Sequence, residues 1–354
     1  MIEQINSDDA QHVEIEDIGK ARVIRLNRPR AINALTLDMI IAIRAGLREA
    51  AERADIGLVL FEGIGEKGFC AGGDVRQVRQ IVMDGDLDLV MDFFNAEYGM
   101  NRMIAEFDKP IVSLLHGYVM GGGIGVGCHG SHRFAAHDAK FAMPEGAIGY
   151  FCDIGARLLL AKAERHRALM FMLRGEPHGV GDAIKLNLLD FVVDAMRFDE
   201  LRRDVIAAAD DEDPYEALDA IGAQFGQDEG ASPNCDFADQ YAKWVSAPSY
   251  AETAFVCDPD RAGLELGEVG ELILKRCPAT HIVSFASLDA ARADPDPERL
   301  FDAEVKLALL MAGRHDFLDG VRAVLVDKDH APKWEEPDYS ANSDFQIKLA
   351  AALQ

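Results

Sequence analysis

Three consecutive glycines, Gly121-Gly122-Gly123, stand where an apolar strand gives way to a helix, and a second pair, Gly72-Gly73, precedes Asp74 at another helix start. Glycine in a helix costs up to about 1 kcal/mol per position relative to alanine, so the first cluster, with Gly117 just before it, needs a reason. Close packing is one. The other is that backbone without side chains brings N–H groups up to a ligand oxygen, which acyl chemistry needs for a developing oxyanion. Further on, Met143-Pro144-Glu145 places a carboxyl group on stiff backbone at a strand end, because proline fixes its own φ and drives Met143 extended. Gly146 and Gly149 then break any helix, and the loop 146–152 turns Asp153 back toward Glu145. Converging carboxyls repel, which raises one pKa and divides the pair into a base or nucleophile and an acid. Spacing alone favours the plainer reading, a pair of surface carboxylates in an acidic protein.

Rival motifs are weaker. Gly125, Gly127 and Gly130 spell G-x-G-x-x-G with Glu145 about twenty residues on. A dinucleotide fingerprint occupies the turn after a strand, however, and these glycines fall within the helix that the triple glycine opens. His129, His132 and His137 form an H-x-x-H helix pattern plus a neighbour, without a carboxylate or thiolate at ligand spacing, which points to structural histidines and no metal. No G-x-S-x-G turn is present for a serine nucleophile.

The elements that must position these residues follow from periodicity. Ala21–Leu26, Gly57–Phe61 and Ile111–Leu115 read as strands, with short strands at Phe134–Ala136 and Phe141–Ala142. Thr36 caps a helix carrying Ile40, Ile43, Leu47 and Ala50 on one face, and Val75, Val78 and Val82 share a face after Asp74. Alternating strands and helices to about residue 195 predict an α/β core. Beyond Asp199 the pattern is helical, with an acidic loop-rich connection predicted over 210–234, an amphipathic piece at Ala303–Met311 and a strand at Ala323–Val326. A chain of 354 residues exceeds the roughly 250–300 residues of one core, so a large domain, 1–198, with an appended region, 199–354, is expected.

Composition limits the partners. A net charge of −25 opposes nucleic acid and anionic membrane surfaces, leaving a small anion held by local cations. Six scattered cysteines without C-x-x-C spacing read as reduced thiols, and residues 1–9 lack a basic-then-apolar signal pattern. No stretch reaches the ~18 apolar residues of a membrane helix. A soluble location, cytoplasmic or like the mitochondrial matrix, is the expectation.

Taken together, Cys70-Ala71-Gly72-Gly73-Asp74, the stretch from His116 to Gly123, and F-A-M-P-E-G-A-I-G-Y-F-C-D-I-G over 141–155 resemble the crotonase (enoyl-CoA hydratase/isomerase) superfamily, most closely its 3-hydroxyisobutyryl-CoA hydrolase branch. The likeness extends to L-N-R-P-R-A-I-N-A-L-T over 26–36, F-F-N-A-E-Y over 93–98 and G-V-R-A-V-L-V-D-K-D-H-A-P-K-W over 320–334. It implies a crotonase-like spiral of repeated β-β-α units with an appended, mainly helical C-terminal region. It also implies Gly73 and Gly122 as oxyanion-hole donors, Glu145 and Asp153 as catalytic carboxyls, and Glu97 as a substrate contact. Arg30, Ala31 and Ile32 fall where the family lines the adenosine end of coenzyme A. Two positions select the branch: Gly125 stands where hydratases carry a second glutamate, and Asp153 where they carry glycine. Cys152 replaces the proline that usually precedes that aspartate.

The resemblance therefore implies hydrolysis of a short β-hydroxyacyl-CoA thioester, with no cofactor beyond the coenzyme A of the substrate. Two other readings use the same residues: an enoyl-CoA isomerase- or hydratase-type reaction on Glu145 alone, and a non-catalytic acyl-CoA-binding protein. The superfamily often forms trimers, whereas an added C-terminal region can cover the associating surface, so a homo-oligomer is left open.

Overall fold

The computed structural model describes residues 12–245, 247–257, 266–336, 338, 340 and 342–354; the amino-terminal stretch 1–9 read for a targeting signal lies outside them. Two compact units emerge, each assembled from separated stretches of chain. One comprises the residues up to Asp74 with Gly99–Phe141 and His178–Ser232; the other comprises Val75–Tyr98, Ala142–Pro177 and Pro233 onward.

The first unit is organised by strands β1 (Val13–Ile18), β2 (Ala21–Leu26), β3 (Leu58–Gly63), β4 (Ile111–Leu115), β5 (Tyr118–Met120), β6 (His132–Ala136), β7 (Lys140–Ala142) and β8 (Phe191–Val193). Six of them form a sheet in the order β1-β2-β3-β4-β6-β8, and β5 pairs with β7. β1 runs antiparallel to β2 and every other neighbour in the large sheet is parallel. Strand pairs β1–β2, β4–β5 and β6–β7 are each followed by a helix. Parallel strands bury both faces, which is why they read as unbroken apolar runs. On one face Val23, Leu60, Val112, Leu114 and Phe134 pack against Leu201, Val205, Leu218, Ile221 and Phe225. On the other face lies the helix Leu37–Glu52, close enough that a Cβ on Gly46 would sit 2.6 Å from Ile15 Cδ1 and 3.5 Å from Ile24 Cδ1. Thr36 caps this helix as expected, accepting from Met39 N.

Leu201 and Val205 lie on the helix Phe198–Ala208, whereas Leu218, Ile221 and Phe225 lie within the stretch expected to be a loop-rich connection. Within 210–234 the chain forms the helix Pro214–Phe225, started by Asp213, whose side chain accepts from the N–H groups of Tyr215 and Glu216. An N-cap aspartate followed by proline at the first helical position outweighs the acidic composition that suggested a loop. The helical region beyond 199 thus contributes to both units.

The second unit is helical. Its long members are Pro278–Ala293 and Pro297–Ala312, the latter extending the amphipathic piece expected at Ala303–Met311. The strand expected at Ala323–Val326 is instead a π-helical turn, Arg322–Val326, continuing the helix His315–Val321. Arg322 holds that turn by donating to Asp319 at 2.7 Å, Asp327 at 2.8 Å and Asp329 at 2.7 Å. These charge pairs hold an apolar run that has no ladder partner among the described residues.

Candidate active site

In the first unit the two glycine segments lie side by side. Met120 N donates to Cys70 O at 2.9 Å and Cys70 N to Tyr118 O at 3.1 Å. Gly121 has φ 48 and ψ −125, and Gly72 has φ +102, both closed to ordinary L-residues. Leu35 N donates to Gly72 O and Asp74 N to Leu35 O, a parallel bridge that turns the Gly73 N–H away from Leu35. Gly122 opens the helix Gly122–Gly127, in whose first turn amides have no helical acceptor. Side chains are excluded here by space as well as by φ. A Cβ on Gly72 would lie 3.0 Å from both Gly122 N and Met120 O. Gly72→Ala is therefore expected to lower stability by about 1–3 kcal/mol in urea unfolding. Gly313→Ala, at φ −76 with its nearest neighbour at 3.4 Å, should be tolerated.

The stretch around Arg30, Ala31 and Ile32 is tied to the same segments. Ala71 N donates to Ile32 O at 2.8 Å. Ile32 and Asn33 both have positive φ, at 50 and 54. Buried Asn33 holds this strained corner, its Nδ2 donating to Ile64 O and Phe69 O and its Oδ1 accepting from Arg28 N. Arg30 is exposed and has no ion-pair partner among the described residues, whereas Arg28 is neutralised by Asp74 at 3.2 Å. Asp74 thus pairs with Arg28 as well as preceding the helix Val75–Met83.

The second unit brings together Glu97, Glu145 and Asp153. Glu145 sits on the short 3-10 turn Pro144–Ala147, just past the strand end expected to present it. Its backbone carbonyl accepts from Ile148 N and Tyr150 N, both at 3.0 Å, which curls the loop as its glycines suggested. The loop is braced from outside by the C-terminal helices. Cys277 N donates to Gly146 O at 2.9 Å, Thr280 Oγ1 to Tyr150 O at 2.5 Å, and a Cβ on Gly149 would meet Asp316 O at 2.3 Å. Asp153 accepts from Tyr98 Oη at 2.7 Å, and Tyr98 Oη lies 3.0 Å from Tyr150 Oη. Phe94 stacks on both tyrosine rings, with centroids at 5.6 and 5.7 Å.

Electrostatics in this cluster favour protonated acids. Burial, reinforced by the charge of Glu97, pushes Glu145 up to about 8. Burial likewise raises Glu97 and Asp153, each further raised by neighbouring carboxylates that include Glu304. Glu145 Oε2 is buried without a hydrogen-bond partner among the described residues. An unsatisfied buried carboxyl is costly, and native proteins keep such groups at reactive or ligand-binding positions.

Four members of the cluster escaped the sequence reading: Tyr98, Tyr150, Arg157 and Glu304. Glu304 is fully buried, and both its oxygens accept from Gly155 N, at 3.1 and 2.9 Å. Arg157 Nε donates to Glu304 at 3.2 Å and Arg157 Nη2 to Leu300 O at 3.0 Å. This clamp holds the turn directly after Asp153, where Ile154 has φ 54 and Gly155 φ 71. A signal existed: Leu300, Glu304, Leu307 and Met311 occupy one stripe of the helix Pro297–Ala312, and a glutamate within an apolar stripe calls for a buried partner.

The histidines make structural contacts. His132 lies on β6, beyond the helix end at Gly127, with Nε2 3.3 Å from Asp219 Oδ1, and His137 Nε2 is 2.9 Å from Gln227 Oε1. All six cysteines are buried thiols, and burial raises Cys152, beside Glu145 and Asp153, well above its ordinary value.

The profile of the family described as enoyl-CoA hydratase/isomerase matches residues 21–349. The chain belongs to the enoyl-CoA hydratase/isomerase family. Among curated relatives, the mitochondrial 3-hydroxyisobutyryl-CoA hydrolase of Danio rerio is 33% identical over 353 residues, covering 99% of this chain and 92% of its own. The Homo sapiens protein of the same name is 31% identical, covering 94% and 86%. Among solved structures, a carnitinyl-CoA dehydratase from Mycobacterium thermoresistibile superposes with a TM-score of 0.86 at 30% identity, covering 97% and 96% of the two chains. An enoyl-CoA hydratase from Rhodobacter sphaeroides 2.4.1 gives 0.85 at 30% identity, covering 97% of each. The enoyl-CoA hydratase/isomerase fold expected from the motifs, with its C-terminal helices, is therefore the fold of this chain.

Proposed function

We propose that the protein hydrolyses a short β-hydroxyacyl-CoA thioester, 3-hydroxyisobutyryl-CoA, to 3-hydroxyisobutyrate and coenzyme A, a step of valine catabolism. The observation that carries this reading is the buried, unpartnered carboxyl of Glu145, raised to about 8, in a chain that has glycine at 125 and aspartate at 153. Near-full-length relatives named for that hydrolysis support it.

The N–H groups of Gly73 and Gly122 are assigned to the thioester oxygen, where a preorganised donor is worth about 3–4 kcal/mol in comparable sites. The Glu145 carboxylate either attacks the thioester carbon, forming an acyl-enzyme anhydride and expelling the thiolate, or takes a proton from the attacking water. In the first route water then cleaves the anhydride, regenerating Glu145 and releasing the acid. Asp153 is assigned to orient Glu145 or the substrate hydroxyl and to assist proton transfer. Glu97 is assigned to a substrate contact, and Arg30, Ala31 and Ile32 to the adenosine end of coenzyme A. Arg30→Ala should raise KM by about 2- to 5-fold, the scale of an exposed ion pair, with kcat unchanged and the effect shrinking as salt is added. The reading involves no metal or cofactor beyond the substrate's coenzyme A, no nucleic-acid or membrane partner, and a soluble compartment, cytoplasmic or matrix-like.

A second reading is supported by the structural relatives, a carnitinyl-CoA dehydratase and an enoyl-CoA hydratase: an isomerase- or hydratase-type reaction using Glu145 as a single proton carrier. Free-thiol detection over a panel of 3-hydroxyacyl and enoyl thioesters separates the two. The hydrolase reading expects thiol from the hydroxyacyl members; double-bond movement or hydration without thiol supports the second; binding without turnover would leave a carrier.

A further inference from the structure

Asn101 is fully buried in the first unit, and both polar atoms of its carboxamide, Nδ2 and Oδ1, lack a hydrogen-bond partner among the described residues. Leaving a buried amide unsatisfied is disfavoured enough that native structures rarely do so without a bound water or ligand to complete it. The carboxamide lies against a glycine. A Cβ added at Gly125 would stand 2.7 Å from Asn101 Oδ1 and 3.0 Å from Nδ2, so the space any side chain at 125 would need is already taken. Gly125 is three residues beyond Gly122 in the helix Gly122–Gly127, which places the two on the same side, one turn apart. An orphaned group that both donates and accepts thus lies about one turn from an amide assigned to the thioester oxygen.

We propose that Asn101 is a specificity-determining residue whose carboxamide takes the hydroxyl of the acyl chain, Nδ2 donating to the hydroxyl oxygen and Oδ1 accepting its proton. A hydroxyl offers one donor and two acceptor sites, which suits a carboxamide's paired functions. The inference rests on the hydrolase reading and adds the group that distinguishes a hydroxyacyl from a plain acyl thioester. A site built to hydrogen-bond a hydroxyl rejects the analogue lacking it, because its own polar groups then stay unpaired.

The test compares 3-hydroxyisobutyryl-CoA with isobutyryl-CoA in the full-length protein, by thiol release, for the wild type, Asn101→Leu and Gly125→Ala. The expected wild-type preference for the hydroxylated substrate in kcat/KM falls by about 10- to 100-fold in Asn101→Leu, through loss on the hydroxylated substrate alone. Gly125→Ala, whose Cβ displaces the carboxamide, should show the same loss of preference, and it carries the test should Asn101→Leu fail to fold. Equal falls on both substrates would overturn the inference, because they indicate a held water or a packing role. An unchanged preference, or a wild type with none, would overturn it too while leaving the hydrolase intact. A wild type releasing no thiol from either substrate would instead remove the reading beneath it.

Discussion

Glutamine at position 145 is expected to cut thiol release from 3-hydroxyisobutyryl-CoA by at least about 10²–10⁴-fold, the range for removing a single positioned acid–base group. It also removes the nucleophile if the reaction passes through an anhydride. The substitution keeps size and most hydrogen-bonding capacity, and the folded protein should tolerate it. The carboxyl is raised to about 8 because burial disfavours its anion, so a permanently neutral replacement spares the fold that cost. The pH profile provides a second check. The reactive form is the carboxylate, so wild-type kcat/KM should climb as pH rises through about 8, the value for the free protein. Residual activity of Glu145→Gln should lack that limb. A Glu145→Gln protein that releases thiol at the wild-type rate would remove Glu145 from the mechanism.

Glu304→Ala is expected to cost about 3–5 kcal/mol, the scale for removing one partner of a buried ion pair. Both partners are enclosed, Glu304 at 0% and Arg157 at 1% exposure, so solvent does not screen the loss. The deletion strands the Arg157 guanidinium and leaves Gly155 N without its acceptor. The turn it frees, Ile154-Gly155, follows Asp153 directly, so kcat should fall along with the melting temperature. Glu304→Gln keeps an acceptor for Gly155 N and should lie between the wild type and alanine in chemical denaturation. Equal stability of Glu304→Ala and the wild type would show that the clamp is energetically idle.

The legible and illegible parts of this chain differ in how locally they are encoded. β2 and β4, the Thr36 cap and the glycine segments carry their signals within a few residues: apolar runs, a capping hydroxyl, backbone that only glycine adopts. Pro144 before Glu145, and Gly146 and Gly149 between Glu145 and Asp153, mark a bent loop, but spacing alone suits two surface carboxylates as well, and the roles given to the pair come from the family resemblance. Tyr98, Arg157 and Glu304 were not readable, because what joins them is a long-range contact, such as the 147 residues separating Arg157 from Glu304. The run Arg322–Val326 misled for a related reason: a short apolar run suits a strand only where an edge accepts it, and here three aspartates on Arg322 hold a π turn. At Asp213-Pro214 the local helix-start signal was present and composition obscured it. The C-terminal region, expected to be mainly helical, braces the acid loop through Cys277, Thr280, Glu304 and Asp316, contacts that no local signal announces.

The most direct measurement incubates the purified wild-type protein with 3-hydroxyisobutyryl-CoA and counts free thiol against 3-hydroxyisobutyric acid. The account predicts one thiol and one acid for each thioester consumed, at many turnovers per protein. Thiol no higher than the protein-free control, with the thioester intact or merely dehydrated, would contradict it.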